Sequence, residues 1–181
     1  MGLRDRKADR HAERRGGGGV TTYRMRQKLL SIGDDYWIEN GDGERVFKVD
    51  GKALRFRDTL MLQDADGHDL MKIQERKINL RDTMRIEDAG GATVATVKKG
   101  LFTPLRARFD VDVEGGDDLD VQGNVVDHEY TISRGHDRVA EVSKRWFRVA
   151  DTYGVEVEPG QDPLLVLAVA VVVDSMAHDV G

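Results

Sequence analysis

Apolar and polar positions alternate along most of this chain, and the alternation breaks down in one stretch near the C-terminus. Tyr23, Met25 and Gln27 alternate with Arg24, Arg26 and Lys28, the period of a half-buried strand, which predicts a first strand over 23–29. A repeat follows. Asp34-Asp35-Tyr36-Trp37-Ile38 leads to a turn at Asn40-Gly41-Asp42-Gly43 and back along Arg45–Val49. At 24 positions further, Asp58-Thr59-Leu60-Met61-Leu62 leads to Asp64-Ala65-Asp66-Gly67 and back along Leu70–Ile73. Another 24 on, Asp82-Thr83-Met84-Arg85-Ile86 leads to Asp88-Ala89-Gly90-Gly91 and back along Thr93–Val97. Ile38, Leu62 and Ile86 correspond, as do Val49, Ile73 and Val97, so each unit reads as a hairpin. Its Asp-Gly or Gly-Gly pair supplies the positive φ of a tight turn.

The links between hairpins repeat as well. Lys28–Ile32 corresponds to Lys52–Phe56 and to Arg76–Leu80, each a basic residue followed by apolar positions. After Lys98-Lys99 the register slips and Pro104 falls in the link. A strand over 106–113 comes next, with Phe109, Val111 and Val113 on one face and Asp110 and Asp112 on the other. Gly115–Asp118 turns it back along Leu119–Gln122. A further hairpin takes His128–Arg134 and Val139–Ser143, and a last strand is predicted over 152–157.

The exception is Asp162–His178, in which ten consecutive residues, Leu164–Val173, are apolar. Asp162 suits a helix N-cap and Pro163 a first helical position. A stretch that is apolar all round predicts a helix buried on every side, over 163–177. Its valines lower intrinsic helicity, so the rest of the fold has to hold it helical. Leu164, Leu165, Val166, Leu167, Val169, Val171 and Val172 are its expected core residues.

The strand count reaches twelve. A meander of short strands protects its edges by closing into a barrel, and twelve strands enclose more room than side chains fill. A helix ~10–12 Å across fits that lumen, and ~15 residues of helix match the height of a six-residue strand. The expected fold is therefore mainly β, a closed antiparallel barrel of about twelve strands around a buried hydrophobic C-terminal helix. Residues 1–19 form an arm ahead of a single domain over 20–181.

Composition narrows the classes. The chain of 181 residues carries a net charge of -5, but residues 1–19 hold six basic and three acidic side chains, which leaves the body at -8. An acidic body argues against nucleic acid as a partner. Cysteine is absent, which excludes disulfides, thiolate metal sites and cysteine nucleophiles, and fits an intracellular location; the expectation is a cytoplasmic protein and a monomer. The N-terminus has no secretory apolar run, and the apolar run 164–173 is half the ~20 residues of a transmembrane segment. The arm is expected to be disordered and ends in Gly16-Gly17-Gly18-Gly19, a flexible joint; it reads as a solvated tail or, alternatively, as a basic tether for anionic lipid or nucleic acid.

Several separate motifs then fall in one order. They are the hairpin links, Gly115-Gly116-Asp117-Asp118-Leu119 to Gly123-Asn124, Asp127-His128-Glu129-Tyr130, Ser143-Lys144-Arg145-Trp146-Phe147, Asp151-Thr152-Tyr153-Gly154-Val155 and the segment Asp162–Asp174. Together, over about residues 22–179, they resemble the LURP-one-related family, which is similar to the Tubby C-terminal domain and to phospholipid scramblases. The resemblance implies a twelve-stranded barrel around a hydrophobic C-terminal helix. It implies no common activity. Tubby relatives bind phosphoinositide headgroups through basic residues, and scramblase relatives associate with membranes.

Enzyme chemistry is not legible. G-x-S-x-G, P-loop and dinucleotide glycine patterns are missing, and the five histidines lack ligand spacing. No cofactor, metal or catalytic residue is expected. His128, between two acidic neighbours, reads as structural. Asp110, Asp112, Glu114, Asp117, Asp118 and Asp120 gather carboxylates of the kind calcium favours, but they read as an acidic solvated hairpin; the place just before the helix, where scramblase relatives carry a calcium loop, holds Glu156, Glu158 and Asp162 without that loop's spacing. The remaining candidates are basic link residues: Lys98, Lys99, Arg106 and Arg108 at one link, Lys144, Arg145 and Arg148 at another. Converging at one barrel end, they would bind anionic phospholipid headgroups and make the protein peripheral at a membrane. The alternatives are a protein-interaction scaffold with no lipid ligand and, further off, a scramblase or a DNA-binding regulator.

Overall fold

The computed structural model describes residues 19–26, 35–50, 59–76, 83–103, 106–147 and 152–178. The links read at 28–32, 52–56 and 76–80, most of the arm, and Arg148 lie wholly or largely outside them.

The described residues form twelve strands: β1 (Thr21–Arg26), β2 (Tyr36–Glu39), β3 (Arg45–Asp50), β4 (Thr59–Asp64), β5 (Asp69–Arg76), β6 (Thr83–Asp88), β7 (Thr93–Thr103), β8 (Arg106–Val113), β9 (Leu119–Asn124), β10 (Glu129–Arg134), β11 (Asp137–Ser143) and β12 (Thr152–Val157). Each pairs antiparallel with its sequence neighbour, and β12 pairs with β1 from Thr21↔Val157 to Arg26↔Thr152, closing the barrel. Closure leaves no edge strand for another chain to extend. β7 runs straight through Lys98 and Lys99, and its register with β8 shifts between Lys99 and Phe102, where the sequence period slips.

The 24-residue repeat is a repeat of geometry. The three hairpins each carry a bulge at the same position, at Ile38/Glu39, Leu62/Gln63 and Ile86/Glu87. Ile38, Leu62, Ile86, Val49, Ile73 and Val97 all point inward and are at most 1% exposed. In the turns Gly43, Gly67 and Gly91 have φ of 82°, 89° and 85°. One device went unread in the sequence. Oδ1 of Asn40, Asp64 and Asp88 each accepts two backbone N–H bonds, from residues two and four positions on, at 2.9–3.0 Å. A short side chain with an oxygen at that position closes the turn itself.

The helix α1 (Pro163–His178) fills the lumen. Asp162 caps it, its Oδ1 accepting Leu164 N–H at 2.9 Å and Leu165 N–H at 3.4 Å. Val166, Leu167, Val169, Val171 and Val172 are at most 1% exposed, whereas Leu164 and Leu165, in the first turn, are partly exposed and pack on the core margin. Burying each such Val or Leu contributes ~1.5–3 kcal/mol, which offsets the weak helix propensity of the valines. No helix among the described residues is long and apolar enough to cross a membrane.

Candidate functional site

The two ends of the barrel differ. One carries the tight turns, at 40–44, 65–68, 89–92, 114–118 and 135–136, and the start of α1. The other gathers the links, including those after β7, β9 and β11, and receives the C-terminal turns of α1.

At the link end the lumen becomes polar. Asp174 on α1 is 1% exposed and His128, in the β9–β10 link, is 0% exposed. His128 Nε2 lies 2.5 Å from Asp174 Oδ1, and Tyr153 OH donates to Oδ2 at 3.3 Å. The imidazole stacks on the Tyr153 ring, centroids 4.2 Å apart. His128 is the one non-glycine residue with positive φ among those described, at 52°, and this backbone turns the ring inward. The buried hydroxyls of Tyr36 and Tyr130 have no hydrogen-bond partner among the described residues. Burial, and then the Asp174 carboxylate, holds the phenols of Tyr36, Tyr130 and Tyr153 well above the usual tyrosine range. A carboxylate, an imidazole and phenols resemble acid–base machinery in type, but this group is sealed from solvent. It ties the end of α1 to β12 and the β9–β10 link, and Tyr36 of β2 and Tyr130 of β10 feel the Asp174 charge without bonding to it.

The basic link residues divide three ways. Lys98 and Arg108 stand on the outer wall of the β7–β8 pair and are paired. Lys98 Nζ contacts Asp112, and Arg108 reaches Asp110 at 3.2 Å and Asp120 at 2.7 Å. These partners are members of the acidic hairpin, so cation and anion candidates neutralise one another. Both cations are held more firmly in their charged form, Lys98 by Asp112 and Arg108 chiefly by Asp120. Asp118 caps the turn, accepting Val113 N–H at 3.0 Å. Lys99 faces the lumen end, where its Nζ donates to the Met176 carbonyl at 3.1 Å. There it satisfies a helix C-terminal carbonyl and complements the dipole. Arg106, Lys144 and Arg145 form the third group, at the link end. The Arg106 side chain is exposed and Lys144 is half-buried; no described residue pairs with the Arg106 guanidinium or the Lys144 amine. The Arg145 side chain is 82% exposed, its Nε 3.6 Å from Glu129 Oε2. The β9–β10 link stands between the links that carry Arg106 and Lys144-Arg145.

Other acidic sites are local. Asp64, Asp66 and His68 bring ligand atoms within 4.8 Å of one another, but this is the repeated turn, with Asp64 Oδ1 engaged by two backbone amides. The Trp146-Phe147 motif has a packing role. A Cβ at Gly154 would lie 2.6 Å from Trp146 Cε3 and 2.8 Å from Phe147 Cε2, so only glycine lets these rings cover β12. Arg24 in turn sits over the Phe147 ring, 4.9 Å from its centroid.

Among curated proteins, no sequence matches the chain. Among solved structures, the X-ray structure of a protein from Arabidopsis thaliana is similar, with a TM-score of 0.67 over 88% of this chain and 92% of that one. At 17% identity this likeness speaks to the fold. The family model described as LURP-one-related matches residues 21–174, spanning every strand and most of α1. A closed twelve-stranded barrel plugged by its own C-terminal helix, together with that match, places the chain: it belongs to the LURP-one-related family.

Proposed function

We propose that the protein is a non-enzymatic binding module whose link end recognises anionic phospholipid headgroups, holding it peripherally at a membrane surface. The observation that carries this reading is the position of Arg106, Lys144 and Arg145. They are the candidate cations that the barrel's own carboxylates leave least neutralised, and all three stand at the link end. The body is acidic, so an anionic surface repels most orientations and favours the approach of that end. The lumen is filled by α1, which leaves binding to the exterior, and the buried histidine and aspartate are out of reach of a substrate.

Co-sedimentation with vesicles tests the reading. Pelleting is expected to rise with the fraction of phosphatidylserine or phosphoinositide in phosphatidylcholine vesicles and to fall with salt. The triple variant Arg106→Ala, Lys144→Ala, Arg145→Ala is expected to lose most of it, at about 1 kcal/mol for each cation near the surface. Equal pelleting on neutral and anionic vesicles sinks the reading. A protein-interaction scaffold then becomes the better account.

A further inference from the structure

Two motifs at the open ends of one hairpin, Asp127–Tyr130 and Ser143–Phe147, meet where β10 begins and β11 ends. The Glu129 carboxylate is the point of contact. Ser143 Oγ lies 3.0 Å from both of its oxygens. The Lys144 backbone N–H donates to Oε1 at 3.1 Å. Arg145 Nε approaches Oε2 to 3.6 Å. The Ser143 hydroxyl also accepts Arg145 N–H at 3.1 Å, which fixes it in place and directs its own proton at the carboxylate.

A hydroxyl, a main-chain amide and a guanidinium converging on one anionic group form the donor set that recognises a tetrahedral oxyanion. Glu129 fills this set incompletely. Arg145 stays at ion-pair distance, beyond hydrogen-bond reach, and the Lys144 amine beside it is unpaired among the described residues. The local balance is two cations to one carboxylate. The position opens outward, since the Glu129 side chain is 25% exposed while Ser143 is 3% exposed.

We propose that Ser143 Oγ, Lys144 N–H and the Arg145 guanidinium form a phosphate-monoester subsite, and that Glu129 occupies it in the free protein as a built-in competitor. The inference rests on the headgroup reading above, because it places one phosphate of such a ligand at the link end. A phosphate monoester brings a second negative charge and more acceptor oxygens than a carboxylate, so it satisfies the guanidinium that Glu129 leaves unfilled. Glu129 turns out to solvent as the phosphate enters.

The test uses the full chain and inorganic phosphate, followed at the Lys144 amide resonance, with chloride at matched ionic strength as control. Wild type is expected to bind weakly. Glu129→Ala is expected to bind phosphate at least about tenfold more tightly, with the Lys144 amide among the most shifted. Adding Ser143→Ala is expected to take that gain away. Glu129→Gln keeps the shape and removes the charge, so it serves if the alanine variant does not fold; it should gain a smaller factor. A folded Glu129→Ala or Glu129→Gln protein whose phosphate affinity equals that of wild type overturns the proposal, as do shifts remote from Lys144. Vesicles of phosphatidylcholine with a phosphoinositide separate the sources. Phosphate binding without vesicle pelleting keeps the subsite and removes the lipid. Pelleting that ignores Glu129 keeps the headgroup reading and removes the subsite.

Discussion

Asp174 is the residue on which most of the internal polarity depends. Its carboxylate accepts from His128 and Tyr153 at a buried position, so both oxygens are cut off from bulk water. Removing one member of a buried pair leaves the other unsatisfied, at a cost of ~3–5 kcal/mol. Asp174→Ala is therefore expected to lose that much in urea unfolding, and Asp174→Asn less, because the amide oxygen still accepts one bond. An alanine variant within about 1 kcal/mol of wild type rules out this account of how the helix end is anchored. None of this was legible beforehand. Pattern reading notes that His128 sits among acidic neighbours, but its partner lies 46 positions away on an element chosen for being apolar. The predicted hairpin of His128–Arg134 with Val139–Ser143 places Glu129 beside Ser143, but the convergence of the Lys144 amide and the Arg145 guanidinium on that carboxylate was hidden by the same limit. Contacts between link residues depend on which strands end side by side, and sequence spacing does not carry that.

At the scale of elements, the opposite holds. The alternation in β6 and β8, the 24-residue hairpin period and the apolar run of α1 were each visible, because burial acts on them position by position. What the period did not reveal was why it is so regular. Asn40, Asp64 and Asp88 close their turns with side-chain oxygens, and the bulges before them set the twist of each hairpin. The helix is where an element can be tested alone. Val169 is fully buried, in the middle of the helix that fills the lumen. A carboxylate there has no partner and cannot reach water. Val169→Asp is expected to abolish the cooperative thermal transition and to leave the chain insoluble or collapsed. A soluble Val169→Asp protein that melts cooperatively would falsify the role of α1 as the core of the barrel.

For the whole molecule, the tyrosines report how far the barrel and its plug act as one body. All four tyrosines of the chain have raised phenol pKa values. Burial is the largest cause in each case. Asp174 adds to it for Tyr36, Tyr130 and Tyr153, and Asp162 for the less buried Tyr23. Tyr23, Tyr36, Tyr130 and Tyr153 lie on four different strands, β1, β2, β10 and β12, so the shifts belong to the closed barrel and not to one hairpin. The sign follows from proton counts. Well below the ordinary phenol value of 10.0 both states are protonated, and the folded state is at full strength. Above it the unfolded chain releases protons that the folded chain retains, so stability falls as pH rises toward the folded values. Ultraviolet titration should therefore show little phenolate while the protein is folded. Its appearance should coincide with loss of circular dichroism, in one step that moves to lower pH when urea is added. Gradual ionisation of three or four tyrosines near pH 10.0, with the fold intact, would mean that the link end admits water and that α1 is not seated there.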